Sequence, residues 1–357
     1  MESRGALDEG AAGAASARRA ATLRDVAALA KVHPSTVSRV LNGGTRSRVT
    51  ADTAVRIRAI AQELGYRPNT MAQGLRTRRS RTVGVIVTDI SNPIVPPIVR
   101  GIEQRLGEEG YTVLLGNTDH SPQRECRQLE AMRSKLVDGV ISATATLEAE
   151  SLGSRTAAVG VPVVLVNRGA DDAGVAAAVP DDALCSELAV GHLADLGHSR
   201  IAHIAGSART TTGRRRASGF EDALARRGLP LSQVVVSDRY TVSEGARCCA
   251  ALLEHRGEFT AIVAANDLLA LGCYDALAAA GLSCPGAVSV IGCNDMPFAD
   301  RFHPALTTIH ISHVELGRAA ADLLLERLEA PDTPPRQVLI TPHLVVRGST
   351  APPPPGR

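Results

Sequence analysis

From Thr82 onward, short apolar runs alternate with amphipathic segments, and this alternation leaves the chain few folds to choose from. The stretch TVGVIVTDI, Thr82 to Ile90, is nearly continuous in apolar residues. That is the mark of a parallel strand covered on both faces, because an exposed face would demand polar residues at alternate positions. Helical spacing follows at 94–109, a strand at 112–115, a helix at 122–136 and a strand at 139–142. A poorly patterned stretch then leads to a strand at 162–166. The series resumes with a helix at 182–196, strand 201–204, helix 214–227, strand 234–236 and helix 242–255. Strand 261–264, helix 267–280, strand 288–292, helix 313–329 and strand 338–346 close it. Such an order predicts parallel sheets with helices on both faces. Ten or so strands are more than one sheet of this class usually carries, so two similar doubly wound subdomains are expected.

A different pattern precedes this core. TLRDVAALAKVHPSTVSRVLN, Thr22 to Asn42, reads as two short helices with a tight turn. Thr22 and Asp25 have capping-box spacing, and Val26, Leu29 and Ala30 give the first helix an apolar face. The chain turns at Lys31-Val32-His33. Pro34 opens the second helix, where its fixed φ fits and its missing N–H is not needed. Val37, Val40 and Leu41 face back, leaving Ser35, Ser38 and Arg39 outward, where base edges of DNA can be reached. This is a helix-turn-helix pattern, although a buried helical hairpin would share the spacing. A third helix opens at Thr50-Ala51-Asp52, with Val55, Ile57, Ile60, Ala61 and Leu64 apolar and Gly65 as its stop. The segment Thr70–Arg81 carries Arg76, Arg78, Arg79 and Arg81. A helix so short is marginal alone and needs a partner such as DNA or a twin chain.

Charge separates the two regions. Residues 1–81 hold 15 Lys or Arg against 6 Asp or Glu, a balance of +9, and the remainder holds 24 against 31, a balance of −7. A basic head on an acidic body suits a DNA-binding module joined to a sensing module. The seven cysteines are scattered without CxxC spacing, which favours reduced thiols over disulfides or a zinc site. His192, His198 and His203 fall on a helix, a turn and a strand, a poor metal set. Neither a nucleophile elbow nor a phosphate-binding loop appears, so no enzyme activity, metal or cofactor is expected. No apolar run is long enough to span a membrane and no signal segment opens the chain, which points to the cytoplasm. A solute-binding protein of a transporter would share the core but not the basic headpiece.

These residues resemble the lac and galactose repressor family of bacterial transcription regulators. The resemblance rests on the helix pair, GYRPNTMAQGLR after it, VGVIVTDISNP, HLADLGHSRIAHIAG, GRRRASGFEDAL, AANDLLALG, VIGCNDMPFA, PALTTIH and VVRGSTAPP, in this order. It implies an all-α helix-turn-helix headpiece plus an α/β core of two doubly wound parallel-sheet subdomains, like a periplasmic binding protein. The implied divisions are a disordered tail at 1–20, a headpiece at 21–66, a hinge at 67–81, a core at 82–350 and a disordered tail from Ala351. Within the core, one subdomain takes 82–180 and 310–337 and the other 181–309 and 338–350, with crossings near 180, 310 and 337. The implied partners are an operator duplex, a small-molecule effector such as a carbohydrate, and a second copy in a homodimer.

The resemblance also implies sites. Pro34, Ser35 and Arg39 would touch bases, Arg reaching guanine O6 and N7 together. His33, Thr36, Ser38, Asn42 and Asn69 would hold the backbone, fixing register without reading sequence. Leu75 matches an apolar wedge for the minor groove. Ligands of doubly wound folds bind at the carboxyl ends of strands, where Asp89, Asn167, Arg168, Asn266, Asp267, Asn294 and Asp295 lie. Asp89, Arg168, Thr212, Arg216, Asn266 and Asn294 are the expected effector contacts. Asp267 and Asp295 fit better as turn or cap residues, whereas a partly buried Arg216 would need an anionic or multi-acceptor partner. The chain departs from the family at several positions, four of them at these sites. His33 stands where a capping Ser or Thr is usual. Ile94 and Val95 replace two Phe that stack on the effector. Asn294 replaces an Asp that grips sugar hydroxyls. With no Trp and 2% aromatics, the chain offers few rings to stack on a sugar.

Overall fold

A computed structural model describes residues 21–41, 49–66, 79–144, 160–169, 174–255 and 257–355. The chain divides into two compact units, 1–78 and 79–357. The first contains α1 (Leu23–Leu29), α2 (Pro34–Leu41) and α3 (Ala51–Glu63). The capping box forms: Asp25 N–H donates to Thr22 Oγ1 at 3.3 Å, and Asp25 Oδ2 accepts from Thr22 N–H at 2.7 Å. Val26, Ala27, Ala30, Val37, Val40, Ile57 and Ala61 close the core of this unit. Leu29 and Val55, expected to face inward, are exposed at 59% and 63%. Ala27 is buried instead, beside Val26 and Ala30. Gly65, at φ +61°, ends α3 as the sequence predicts.

The second unit carries two six-stranded sheets. The strands are β1 (Thr82–Val87), β2 (Thr112–Asn117), β3 (Gly139–Ser142), β4 (Val163–Val166), β5 (Ala176–Pro180), β6 (Ile201–Ala205), β7 (Val234–Val236), β8 (Ala261–Ala264), β9 (Ser289–Asn294), β10 (Thr307–His310), β11 (Gln337–Ile340) and β12 (His343–Val345). The N-subdomain sheet runs β11-β5-β4-β3-β1-β2, and the C-subdomain sheet β12-β10-β9-β8-β6-β7. All described pairings are parallel except β10 with β12. The helices are α4 (Val95–Glu108), α5 (Pro122–Ser134), α6 (Asp182–Asp195), α7 (Thr211–Arg226), α8 (Val242–Leu253), α9 (Asp267–Ala279) and α10 (His313–Glu329). None of the described helices is long and apolar enough to cross a membrane.

Three expectations need correction. The single strand expected at 338–346 is two strands in two different sheets, so the third crossing lies at Thr341-Pro342 and not near 337. Pro342 has no N–H to give a ladder, which breaks the run there. Strands β5 and β10 lie where no strand was expected. The sequence AAAVP of β5 has little strand propensity, and complete burial between neighbours overrides it. The tail expected to be loose from Ala351 is held at its start: Ala351 N–H donates to Ser289 Oγ at 3.1 Å, and His198 Nε2 meets Ala351 O at 2.8 Å.

Where the hinge segment meets the core, its end is clamped. Asp138 accepts from Ser80 N–H at 2.6 Å and Arg81 N–H at 3.0 Å, and Arg79 donates to Leu328 O at 2.9 Å. The remainder of the hinge lies outside the described residues.

Helices α4 and α10 pack backbone to backbone. A Cβ on Gly317 would fall on the Ile98 carbonyl oxygen, and one on Gly101 on that of Val314. Gly107, on the same α4, has open space around it. Gly317→Ala should therefore lower stability by about 1–3 kcal/mol through overpacking. Gly107→Ala should be neutral or gain up to about 1 kcal/mol from helix propensity. Urea denaturation midpoints of the two variants check this, and equal shifts would contradict the packing.

Candidate functional site

In the first unit the candidate surface is the outer face of α2. Ser35 and Arg39 are exposed, while Val37 and Val40 are buried behind them. The residue before α2 does what a Ser or Thr would do. His33 Nδ1 accepts from Ser35 N–H at 3.2 Å and sits 2.8 Å from Ser35 Oγ. A ring nitrogen thus satisfies one of the free amides of the helix start. Ser35 then restrains Arg39, whose Nε donates to Ser35 O at 3.2 Å and whose Nη2 donates to Ser35 Oγ at 3.3 Å. The guanidinium is held along the helix before any ligand arrives, which lowers the entropy lost on contact. Pro34, Thr36 and Ser38 are partly exposed beside it. Asn42, Asn69 and Leu75 lie outside the described residues.

In the second unit parallel strands deliver their carboxyl ends to a cleft between the subdomains. Thr88 follows β1, Asn167 and Arg168 follow β4, Asn266 follows β8, and Asn294 ends β9. Thr212 and Arg216 come from the first turns of α7. All of these line one inner pocket of about 50 Å³. An outer cleft of about 610 Å³ adjoins it and shares Thr88, Arg168 and Tyr240 as a common wall. Of the six expected effector contacts, five converge here and Asp89 does not. Its carboxylate accepts from Ser91 N–H at 2.8 Å and Ser91 Oγ at 2.7 Å, closing its own turn. Those hydrogen bonds hold its pKa below the ordinary value.

The corners at the strand ends are strained. Asn167, Asn294 and Asp295 have φ of +65°, +117° and +53°. Non-glycine residues rarely adopt such angles, and they collect where a site needs side chains re-aimed.

Arg216 is buried, and its partner is internal. Its Nε donates to Asp182 Oδ1 at 2.8 Å and its Nη1 to Ala265 O at 2.6 Å. Burial pushes the Asp182 carboxyl up, and Arg216 pulls it partly back. Arg168 differs. Burial lowers its pKa and no carboxylate offsets this. Asn266 caps α9, its Oδ1 accepting from Leu269 N–H at 2.9 Å.

Asp267 and Asp295 serve the frame, as the turn-and-cap reading has it. Asp267 accepts from Thr308 Oγ1 at 2.5 Å and Met296 N–H at 2.7 Å, tying α9 to the loop after β9 and to β10. Asp295 accepts from Arg347 Nη2 at 2.7 Å and lies 3.0 Å from His310 Nδ1. The three histidines also do structural work. His192 meets Thr350 Oγ1, His198 meets Thr260 Oγ1, and His203 meets Val263 O. Among the described residues no His, Cys, Asp and Glu side chains gather in threes as around a metal ion.

Sequence reasoning missed Thr88, Asn92 and Tyr240, all in the wall of the inner pocket. Tyr240 is an aromatic within reach of a ligand, although none was expected there. The strand-end rule, extended to β7, reaches it. Ile94 and Val95 do line the inner pocket.

The lacI family of bacterial regulatory proteins matches residues 22–69, and a periplasmic binding protein-like domain matches residues 190–350. The ribose operon repressor of Escherichia coli strain K12 is 34% identical over 332 residues, covering 92% of this chain and 99% of that one. A lac repressor dimer bound to operator and the anti-inducer ONPF superposes with a TM-score of 0.82 at 27% identity, over 93% of this chain and all of that one. A regulator of the same family from Enterococcus faecium with bound ribose gives a TM-score of 0.68 at 30% identity, over 76% of this chain and 99% of that one.

Asp267 generates a pH prediction. Burial pushes its carboxyl up to about 7, against an ordinary value near 4. Across that window the folded chain keeps a proton that the unfolded chain has lost. Its stabilising share is therefore full below about pH 4, falls as pH rises, and is gone above about 7, a change of up to about 4 kcal/mol. Asp267→Asn cannot titrate. The stability difference between wild type and variant, followed by urea denaturation from pH 4.5 to 8, should shift against wild type as pH rises. A pH-independent difference would contradict this.

Proposed function

Because the chain belongs to the lacI family of bacterial regulatory proteins, we propose that it represses transcription by gripping a pseudo-palindromic operator as a dimer, under control of a small molecule in the core cleft. The observation that carries the reading is the arrangement on α2. An exposed Arg39 is fixed by Ser35 on a helix that His33 caps. A recognition helix in the major groove presents residues near its start to base edges, and Arg is the commonest reader of guanine. Pro34 and Ser35 sit at that start as further base contacts. His33, Thr36, Ser38, Asn42 and Asn69 serve the phosphates, and Leu75 serves as the minor-groove wedge. Two such helices in a dimer would lie about one DNA turn or a multiple apart.

Control follows from the core. Asp89 is withdrawn from the effector set; Arg168, Thr212, Arg216, Asn266 and Asn294 remain, joined by Tyr240. A molecule touching both subdomains favours one closure of the cleft over another by its difference in affinity for the two. Residues 79–81 move with the N-subdomain, because Asp138 holds the Ser80 and Arg81 amides and Arg79 donates to Leu328 O. Closure therefore resets the spacing of two hinge segments in a dimer, and with it the fit to the operator. The reading is of a binding protein acting in the cytoplasm on the chromosome, not of an enzyme.

The test is fluorescence polarisation with a duplex selected by the protein itself, titrated across salt. Wild type should show a steep loss of affinity with salt and a preference over random competitor. Arg39→Ala should cost about 1–3 kcal/mol and relax discrimination at one base pair per half-site. A uniform loss over all sequences would contradict the base-reading role.

A further inference from the structure

We infer that the effector is a polyhydroxylated small molecule bearing an anionic group, a phosphate monoester or a carboxylate. The anion is held by Arg168 and Tyr240 at the wall between the inner pocket and the outer cleft. This deepens the cleft reading above and rests on it.

The two cleft arginines carry the argument. Arg216 has its counter-charge inside the protein, Asp182 at 2.8 Å, and a carbonyl, Ala265 O at 2.6 Å. It can offer a ligand hydrogen bonds but needs no ligand charge. Arg168 lines both the inner pocket and the outer cleft, is partly buried, and finds no hydrogen-bond or ion-pair partner for its guanidinium among the described residues. A guanidinium stays charged and presents a planar fork matched to a carboxylate or phosphate. Leaving it desolvated and unpaired costs stability, and such a cost persists where the site exists for a ligand.

A second orphan sits on the same wall. The Tyr240 hydroxyl is buried and finds no hydrogen-bond partner among the described residues. Its ring reaches that position because residue 206 is glycine; a Cβ there would overlap the phenol. Tyr240 and Arg168 line the same shared wall as Thr88.

The surroundings agree in sign. His120, Arg209 and Arg239 line the outer cleft with Arg168; burial first, and then Arg168 and Arg239, disfavour charge on His120, against a smaller pull from Asp89. The carboxylates of the outer cleft are Glu125 and Asp238, and Glu125 is engaged by the Thr144 hydroxyl at 2.7 Å. The inner pocket is different: Asn266, Asn294 and Thr212 offer neutral amide and hydroxyl groups suited to hydroxyls. The polyol end thus belongs inside and the anion at the wall. A neutral sugar would offer Arg168 hydroxyl acceptors but no counter-charge and no oxygen pair to match the planar fork.

The test is calorimetry and thermal melting of the full chain at constant ionic strength, with D-ribose, D-ribonate, D-ribose 5-phosphate and inorganic phosphate. Small-molecule cell extract, split by anion exchange into neutral and anionic fractions, is tested beside them. The anionic fraction, or an anionic probe, should raise the melting temperature and bind at least tenfold tighter than its neutral counterpart. The ribonate and phosphate arms tell which anion is meant. Arg168→Gln should erase that preference while leaving the unliganded melting temperature equal or higher, a result no merely structural arginine would give. Arg168→Lys should restore part of the preference, keeping charge without the fork. Binding by the neutral fraction alone, or an unchanged preference in Arg168→Gln, overturns the inference and leaves the cleft reading standing. No response to either fraction overturns both.

Discussion

Parallel strand pairing governs where chemistry can occur in this chain. Parallel strands deposit all their carboxyl ends on one edge of a sheet, and helices return the chain along the faces. Here two sheets do this, and three crossings of the chain keep their edges opposed. Residues far apart in sequence, such as Thr88, Arg168, Asn266 and Asn294, therefore meet in one cleft. The frame around them is polar and buried. Asp182 neutralises Arg216, Asp267 ties α9 to β10, and Asp295 joins Arg347 near the second crossing. Each group has its counterpart within the protein. Among the described residues Arg168 finds no such counterpart for its guanidinium, and it lines the cleft beside Tyr240.

The headpiece solves a smaller problem with less material. Its core is seven buried side chains, too few to spare any for function. Recognition is left to the exposed side of α2, where the His33–Ser35–Arg39 chain of hydrogen bonds limits the freedom of the reading side chain.

Much of this was legible in the sequence, for identifiable reasons. Long apolar runs such as Thr82–Val87 and strong capping signals such as Thr22 with Asp25 depend on local residues and were read correctly. Strand β5 could not be read, because its alanines take strand geometry only under burial by neighbours. The break at Pro342 was visible as a residue, but which sheet each half joins is a tertiary fact. At the site, strand-end polar residues pointed to the cleft, while their roles did not follow. The sequence leaves Arg216 in want of a partner because Asp182, 34 residues earlier, cannot be paired with it by spacing. Asp89 looked available because its bonds to Ser91 are invisible until the turn is built. Tyr240 was passed over because β7 is short, leaving its end poorly marked.

The central claim is that cleft closure and operator binding are one equilibrium. If so, each must shift the other by the same free energy. Distances between a label on Cys126 of α5, which is exposed, and one placed by Glu221→Cys on α7 would report the cleft across the two subdomains. Addition of a cognate operator duplex alone, with no effector, should change the distance distribution measured by pulsed electron spin resonance. A distribution identical with and without operator would contradict the account.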